Sequence, residues 1–264
     1  MSLDGTLSAN ERNDVISAVQ RRVRYKREWG MYAFNAYFHA SGPSFREVFI
    51  FMKEAIPFWK QLIFSKTLLS KNKSHKIAYI AALTSFAIVA NFLEFKFMDS
   101  QFSLTIVVAL LIGIIVGPFY GFFACVMGDF IGYIVNPAYI YMWWVALSTG
   151  SFALLSGLIF NFLPTRRKWL VFVKLAVICI TTFGFCTIFV NSTGFYFYNK
   201  AMGFSTGVID FMAERFGGET TFWAYVVYRL FFKGQIWNSL FNYALLFIAV
   251  PALNNVKPLK LHLY

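Results

Sequence analysis

Residues 102–135 read FSLTIVVALLIGIIVGPFYGFFACVMGDFIGYIV, two apolar runs that meet at Gly117-Pro118 and contain a single charge, Asp129. A helix needs about 20 apolar residues to cross a hydrocarbon core, with about 17 the usual lower limit. The stretch predicts two membrane helices, Phe102–Val116 and Pro118–Val135, separated by a tight turn at the Gly-Pro pair. The same test applied outward adds Ile77–Leu93, Ile140–Leu163, Trp169–Val190 and Gly234–Ala252. The expected fold is an all-α membrane protein, a six-transmembrane-helix bundle over residues 76–255, with a short tail at 256–264 and an N-terminal amphipathic helical extension at 1–75.

Composition agrees. Of 264 residues 58% are hydrophobic, 20% aromatic and only 14% charged, which does not describe a soluble surface. A net charge of +12 raises nucleic-acid binding, but most basic residues precede residue 77 and the rest of the chain is apolar runs. The excess charge therefore points to anionic lipid headgroups and the cytoplasm, and not to nucleic acid. Residues 1–30 are polar and lack the pattern of a cleavable signal. Between Phe45 and Leu69, Phe45, Val48, Phe49, Met52, Ile56, Trp59, Leu62 and Ile63 recur at helical spacing, which predicts an interfacial helix kinked or split at Pro57. Val15–Tyr25 reads as a second, weaker surface helix.

Orientation follows from lysine and arginine, which cytoplasmic loops retain. Thirteen precede the first span, Arg166, Arg167 and Lys168 lie between the fourth and fifth, and Lys257 and Lys260 follow the sixth. Lys174, early in the fifth span, can snorkel to that side. Both termini are expected in the cytoplasm of a cell-membrane protein, which leaves residues 191–228 as a long external loop, rich in glycine and aromatics and without obvious secondary structure.

Catalytic signatures are missing. His39, His75 and His262 lie outside the spans, Asp129 has no second acid in them, and no Gly-x-Ser-x-Gly, His-Glu-x-x-His or phosphate-binding glycine loop occurs. Cys125, Cys179 and Cys186 lack metal-ligand spacing, so neither a metal nor a cofactor is expected. Transport or binding is favoured over catalysis, and any ATP hydrolysis must belong to other chains. A membrane-embedded enzyme, or an unrelated small solute transporter acting as a homo-oligomer, remains the alternative.

Three groups of residues stand out. Asp129, between Gly128 and Gly132, is a costly intramembrane carboxylate, and its glycine neighbours favour helix packing over ligand contact. In the first span Ala78 and Ala82, like Ala81 and Ser85, are four apart and form a smooth strip that must meet a helix, either within the bundle or on a partner. Arg229 and Lys233, one turn apart at the start of the last span, suit a carboxylate or phosphate, or else snorkel to headgroups. Asn238 and Asn242 continue that helix, and Asn191, Ser192 and Thr193 add donors and acceptors at the end of the fifth span. Tyr139, Tyr141, Trp143 and Trp144 are placed to stack on a flat ring, or to form an aromatic belt.

Taken in order, Gly117-Pro118-Phe-Tyr-Gly121, Gly128-Asp129-Phe-Ile-Gly132, Asn136-Pro137, Ser156-Gly157-Leu-Ile-Phe, Val190-Asn191-Ser192-Thr193 and Arg229-Leu-Phe-Phe-Lys233 resemble the substrate-binding (S) components of energy-coupling-factor vitamin transporters, most nearly the folate type. The resemblance covers about residues 76–255. It implies high-affinity binding of a vitamin from outside, at the loop after the first span and the outer ends of the fourth, fifth and sixth. It also implies docking on a transmembrane coupling protein and two cytoplasmic ATPase subunits through the small-residue face of the first helix, here Ala78, Ala81, Ala82 and Ser85. By position the solute would meet Arg229, Lys233, Asn191, Thr193, Tyr141, Trp143 and Asn238. Two features depart from the family: Pro137-Ala-Tyr-Ile-Tyr141-Met-Trp-Trp replaces its glycine- and proline-rich link, and the N-terminal extension is not typical.

Overall fold

The computed structural model describes residues 58–92, 94–97, 100–135, 137, 140–163 and 168–256, all within one compact unit, Phe58–Tyr264. The expected Val15–Tyr25 helix, the Phe45–Pro57 part of the interfacial helix, Asn136, Tyr139, Arg166, Arg167, Lys257 and Lys260 lie outside the described residues. In chain order come α1 (Phe58–Ile63), α2 (Lys66–Leu69), α3 (Lys73–Phe92), β1 (Glu94–Phe97), β2 (Ser100–Ser103), α4 (Thr105–Val116), α5 (Pro118–Val135), α6 (Trp143–Phe162) and α7 (Lys168–Thr182). A π-helical stretch, Phe183–Asn191, joins α7 to α8 (Ser192–Met202). Then follow α9 (Thr206–Phe216), α10 (Phe222–Val227), a second π-helical stretch, Tyr228–Phe232, and α11 (Gln235–Asn254).

Each of the expected spans coincides with a helix, and four of the helices are long and apolar enough to cross a membrane: Pro118–Val135, Trp143–Phe162, Trp169–Met202 and Gln235–Asn254. Helix α4, with 12 residues, is about 18 Å long. It is apolar all round because it is enclosed all round: Ile106–Leu110 and Ile112–Val116 are buried. Close approach makes this possible. A Cβ on Gly113 would fall 2.0 Å from the Ala153 carbonyl oxygen of α6, and one on Gly157 would fall 2.7 Å from the Gly113 oxygen. Ser156 Oγ donates to the Leu110 carbonyl across the same crossing, at 3.0 Å. The glycines around Asp129 do serve packing: Gly128 abuts Ala87 of α3, and Gly132 abuts Asn91.

Both ends of α4 are satisfied by other elements. No side chain at Leu104 caps its first turn. Instead Asn242 of α11 accepts from the Val107 N–H at 2.9 Å and donates to the Ser103 carbonyl at 2.7 Å, while Asn238 Oδ1 accepts from the Ser103 N–H at 3.0 Å. At the other end, Ser65 supplies its N–H to the Val116 carbonyl at 2.8 Å and its hydroxyl to the Ile115 carbonyl. These are the orphan amides and carbonyls that every helix end must place.

Four expectations change. The helix expected through Leu69 breaks at Phe64-Ser65, where Ser65 turns its N–H to α4. Glu94–Phe97 and Ser100–Ser103 pair antiparallel in a two-stranded hairpin, so the expected start of the second span at Phe102 moves to Thr105. Lys174 does not reach outward: it is buried, with its ammonium 4.1 Å from the centre of the Phe160 ring. The expected external loop is helical for most of its length. The fifth helix runs on to Met202, and α9 and α10 follow. Val208, Met212, Ala224, Tyr225 and Tyr228 there form a second apolar cluster, apart from the bundle core, with Phe195, Tyr196, Phe204 and Phe211 packed on it.

Candidate functional site

Thr187, Asn191 and Phe195 follow one another at intervals of four along the continuous α7–α8 helix and so share a face. The π-helical stretch re-phases that face: the Ser192 N–H reaches the Thr187 carbonyl, five residues back, and the Ser192 hydroxyl donates to the same carbonyl at 3.0 Å. Wide turns of this kind are rare and concentrate where a helix must aim particular side chains. Arg229 lies on the other π-helical stretch, closed by the Lys233 N–H on the Tyr228 carbonyl at 3.1 Å. Its guanidinium carbon sits 4.1 Å from the centre of the Phe195 ring. From α6, Trp144 meets the same ring edge-on at 5.9 Å and Tyr198 at 5.6 Å. Phe195 is thus the common wall between Trp144 and Arg229.

Polar satisfaction marks this region out. Among the described residues, four buried side-chain nitrogen or oxygen atoms have no hydrogen-bond partner: Trp144 Nε1, Thr187 Oγ1, Asn191 Oδ1 and Arg229 Nη1. Leaving such an atom buried and unmatched costs about 1–3 kcal/mol each, more for a charge. Native cores avoid that cost nearly everywhere, so a group of four calls for a functional reason. Two N–H donors lie beside Phe195, on Trp144 and Arg229, and one carbonyl acceptor and one hydroxyl lie on the helix that carries it, groups that a polar flat-ringed solute can engage. A guanidinium among them favours an anionic group on that solute.

The other sequence candidates separate. Lys233 is exposed, although it stands one turn from Arg229, because it leaves the helix as its cap. Thr193 is two residues from Asn191 and points to another side of the helix. Asn238 is occupied by the Ser103 N–H and by the Asn242 amide, at 3.0 Å each. Trp143 is 63% exposed and touches the site only through Trp144, ring centres 5.9 Å apart. Tyr141 packs on Phe130 and Tyr133 of α5. Partial burial, then the nearby Asp129 carboxylate, push its phenol pKa upward. Asp129 itself lies on α5. Sequence reasoning does not reach Thr187 and sees Phe195 only as one of the aromatics of the long loop; the four-residue spacing to Asn191 is the available signal. Among the described residues no group of three His, Cys, Asp or Glu side chains is placed to hold a metal.

On α3, Ala78, Ala81, Ala82 and Ser85 are all exposed, while Ala87 and Ala90 on the opposite side are buried against the bundle. The Ser85 hydroxyl donates to the Ala81 carbonyl at 3.0 Å, so the strip is smooth and carries no unmet donor. Among the described residues no element covers it.

Residues 75–253 match the family model described as "ECF transporter, substrate-specific component". No curated protein matches the chain.

Proposed function

Because the chain belongs to the substrate-specific components of energy-coupling-factor transporters, we propose that it binds folate or a related heterocyclic vitamin from outside the cell and mediates its ATP-driven uptake. The family is one of transporter components and not of enzymes, which removes the catalytic alternative. The observation that carries the substrate reading is the set of unmatched buried atoms on Trp144, Thr187, Asn191 and Arg229. Arg229 takes a carboxylate of the solute, and the heterocycle lies against the aromatic side chains. Lys233, at the exposed rim, draws an anion toward Arg229 through long-range attraction.

The membrane domain in this reading has six spans. Four helices meet the length and apolarity that a crossing needs. Helix α4 needs less apolar length because it is shielded from lipid by its neighbours, and α3 is less apolar because its free face carries small residues for a protein partner. Both termini lie in the cytoplasm, where the lysines and arginines of residues 1–76 face anionic lipid. That places Arg229 and Asn191 on the outer side. Ala78, Ala81, Ala82 and Ser85 form the face that docks on the transmembrane coupling protein, which carries two ATPase subunits. Where lipid removes the hydrophobic drive between helices, small residues let backbones approach closely, and an exposed strip of them on a membrane helix suits a helix of another chain.

The test has two arms. Purified protein in detergent is titrated with a panel of vitamins, and the expected result is tight binding of one flat, anionic heterocycle. Tagged protein is also drawn from its native membrane, where a coupling protein and two ATPases are expected to accompany it. Failure of every panel member to bind overturns the substrate reading, and recovery of the chain alone overturns the docking reading.

A further inference from the structure

Gly194 and Trp144 fit together more closely than any side chain would permit. A Cβ on Gly194 would lie 2.3 Å from both Cγ and Cδ1 of Trp144 and 2.9 Å from its Cβ, so the backbone of α8 rests directly against the stem and five-membered ring of the indole. The clash involves the root of the side chain, which cannot swing aside as the tip of a long chain can. On its other sides the indole meets Phe195 at an interplanar angle of 82° and Tyr198 at 43°, ring centres 5.9 and 5.6 Å away. The ring is therefore gripped by one helix through Gly194, Phe195 and Tyr198.

That grip fixes a donor. Cδ1 is the covalent neighbour of Nε1, and Nε1 is buried with no acceptor among the described residues. Tryptophan N–H groups usually find a partner when buried, and packing alone would be served as well by phenylalanine. Phe195, against which the indole rests, is also the ring under the Arg229 guanidinium. The indole N–H and the guanidinium thus flank one aromatic wall, with unmatched Asn191 on the preceding turn of the same helix.

We propose that Trp144 is a specificity-determining residue that donates its indole N–H to a carbonyl or ring-nitrogen acceptor of the solute, and that Gly194 is the positioning residue that seats it. This rests on the vitamin-binding reading above and adds to it a required chemical feature of the ligand: an acceptor on the ring, besides the anion that meets Arg229. Gly194 acts through Trp144 and touches no solute.

Folic acid, riboflavin and biotin are the probes, titrated against wild type, Trp144→Phe, Gly194→Ala and the double variant, with thermal unfolding recorded for each protein. The tightest-binding probe is expected to lose roughly 10- to 100-fold in affinity on Trp144→Phe, the worth of one buried hydrogen bond. Gly194→Ala is expected to lose a similar factor, and the double variant no more than about threefold beyond the worse single one, because the group that Gly194 seats is already gone. The clash lowers the unfolding temperature of Gly194→Ala in either role, so the cycle decides: a purely structural role for Gly194 predicts losses that multiply. Unchanged affinity in Trp144→Phe overturns the proposal while the transporter reading stands. Multiplying losses, or wild-type affinity in Gly194→Ala, overturn the role of Gly194. If none of the three probes binds wild-type protein, the vitamin-binding reading fails and the proposal fails with it.

Discussion

Arg229→Met separates a binding residue from a structural brace, because the two roles move stability in opposite directions. Among the described residues Arg229 Nη1 is buried and unmatched, and the guanidinium rests on Phe195 at 4.1 Å. Relieving an unmatched charged donor is worth about 1–3 kcal/mol. Losing a desolvated cation–π contact costs about 2 kcal/mol. A thioether in the same place returns about 1 kcal/mol through its contact with the ring. The sum is a gain of about 1 kcal/mol, which for a chain of this length raises the melting temperature by roughly 2–4 °C. Affinity moves the other way. A buried, charge-assisted pair between guanidinium and carboxylate is worth about 2–4 kcal/mol, so the solute should bind about 30- to 1,000-fold more weakly. The assay is thermal unfolding in detergent without ligand, set beside an equilibrium titration of the same two proteins. A fall of more than about 6 °C with unchanged affinity refutes the reasoning, since Arg229 would then be holding the second apolar cluster together.

Ala82→Trp should leave solute affinity and melting temperature unchanged, because the position is exposed, yet abolish co-purification with the coupling protein; retained assembly would mean that this strip is not the docking face. Asn242→Leu removes the acceptor of the Val107 N–H and the donor to the Ser103 carbonyl in one step, and should cost about 2–4 kcal/mol, read as a lower melting temperature; an unchanged value would show that the start of α4 finds other partners. Gly117→Ala should be strongly destabilising, since φ is 123° and the new Cβ would lie 2.4 Å from the Ser65 nitrogen. Gly207→Ala is the control: the nearest atom is the Tyr228 hydroxyl at 3.8 Å, so no loss is expected there.

Much of the bundle is legible from apolar run length alone. Pro118–Val135 coincides with the expected span at both ends, and Ile140–Leu163 and Gly234–Ala252 come within a few residues of α6 and α11. What eludes run length is structure whose drive is local pairing or amphipathy. Glu94-Phe-Lys-Phe and Ser100-Gln-Phe-Ser alternate with the period of a strand, but the runs are too short to stand against a helix beside them. In α9, Val208, Phe211 and Met212 carry helical spacing, and the glycines at 203, 217 and 218 mask it by reading as loop. The continuation of the fifth expected span to Met202 is hidden by polar Asn191-Ser192-Thr193, which imitate a span's end while the helix continues.

The site poses a harder problem, because three asparagines, Asn191, Asn238 and Asn242, look alike in the sequence and differ only in what surrounds them. Asn238 and Asn242 have their amides consumed by the start of α4, so converting either to a ligand contact would leave buried backbone groups bare. The Asn191 oxygen has no such commitment. A polar residue in a membrane helix is retained because the fold uses its hydrogen bonds or because something else does, since an unmet bond in lipid is costly. Local spacing cannot sort them: Val107, which accounts for the Asn242 oxygen, lies 135 residues away along the chain. The same division applies to cations. Lys174 covers Phe160 on one side chain's worth of ring, as Arg229 covers Phe195, but only the Arg229 nitrogen is among the unmatched buried atoms, in company with those of Trp144, Thr187 and Asn191. It is that company, drawn from three separate helices, on which the proposed solute site rests.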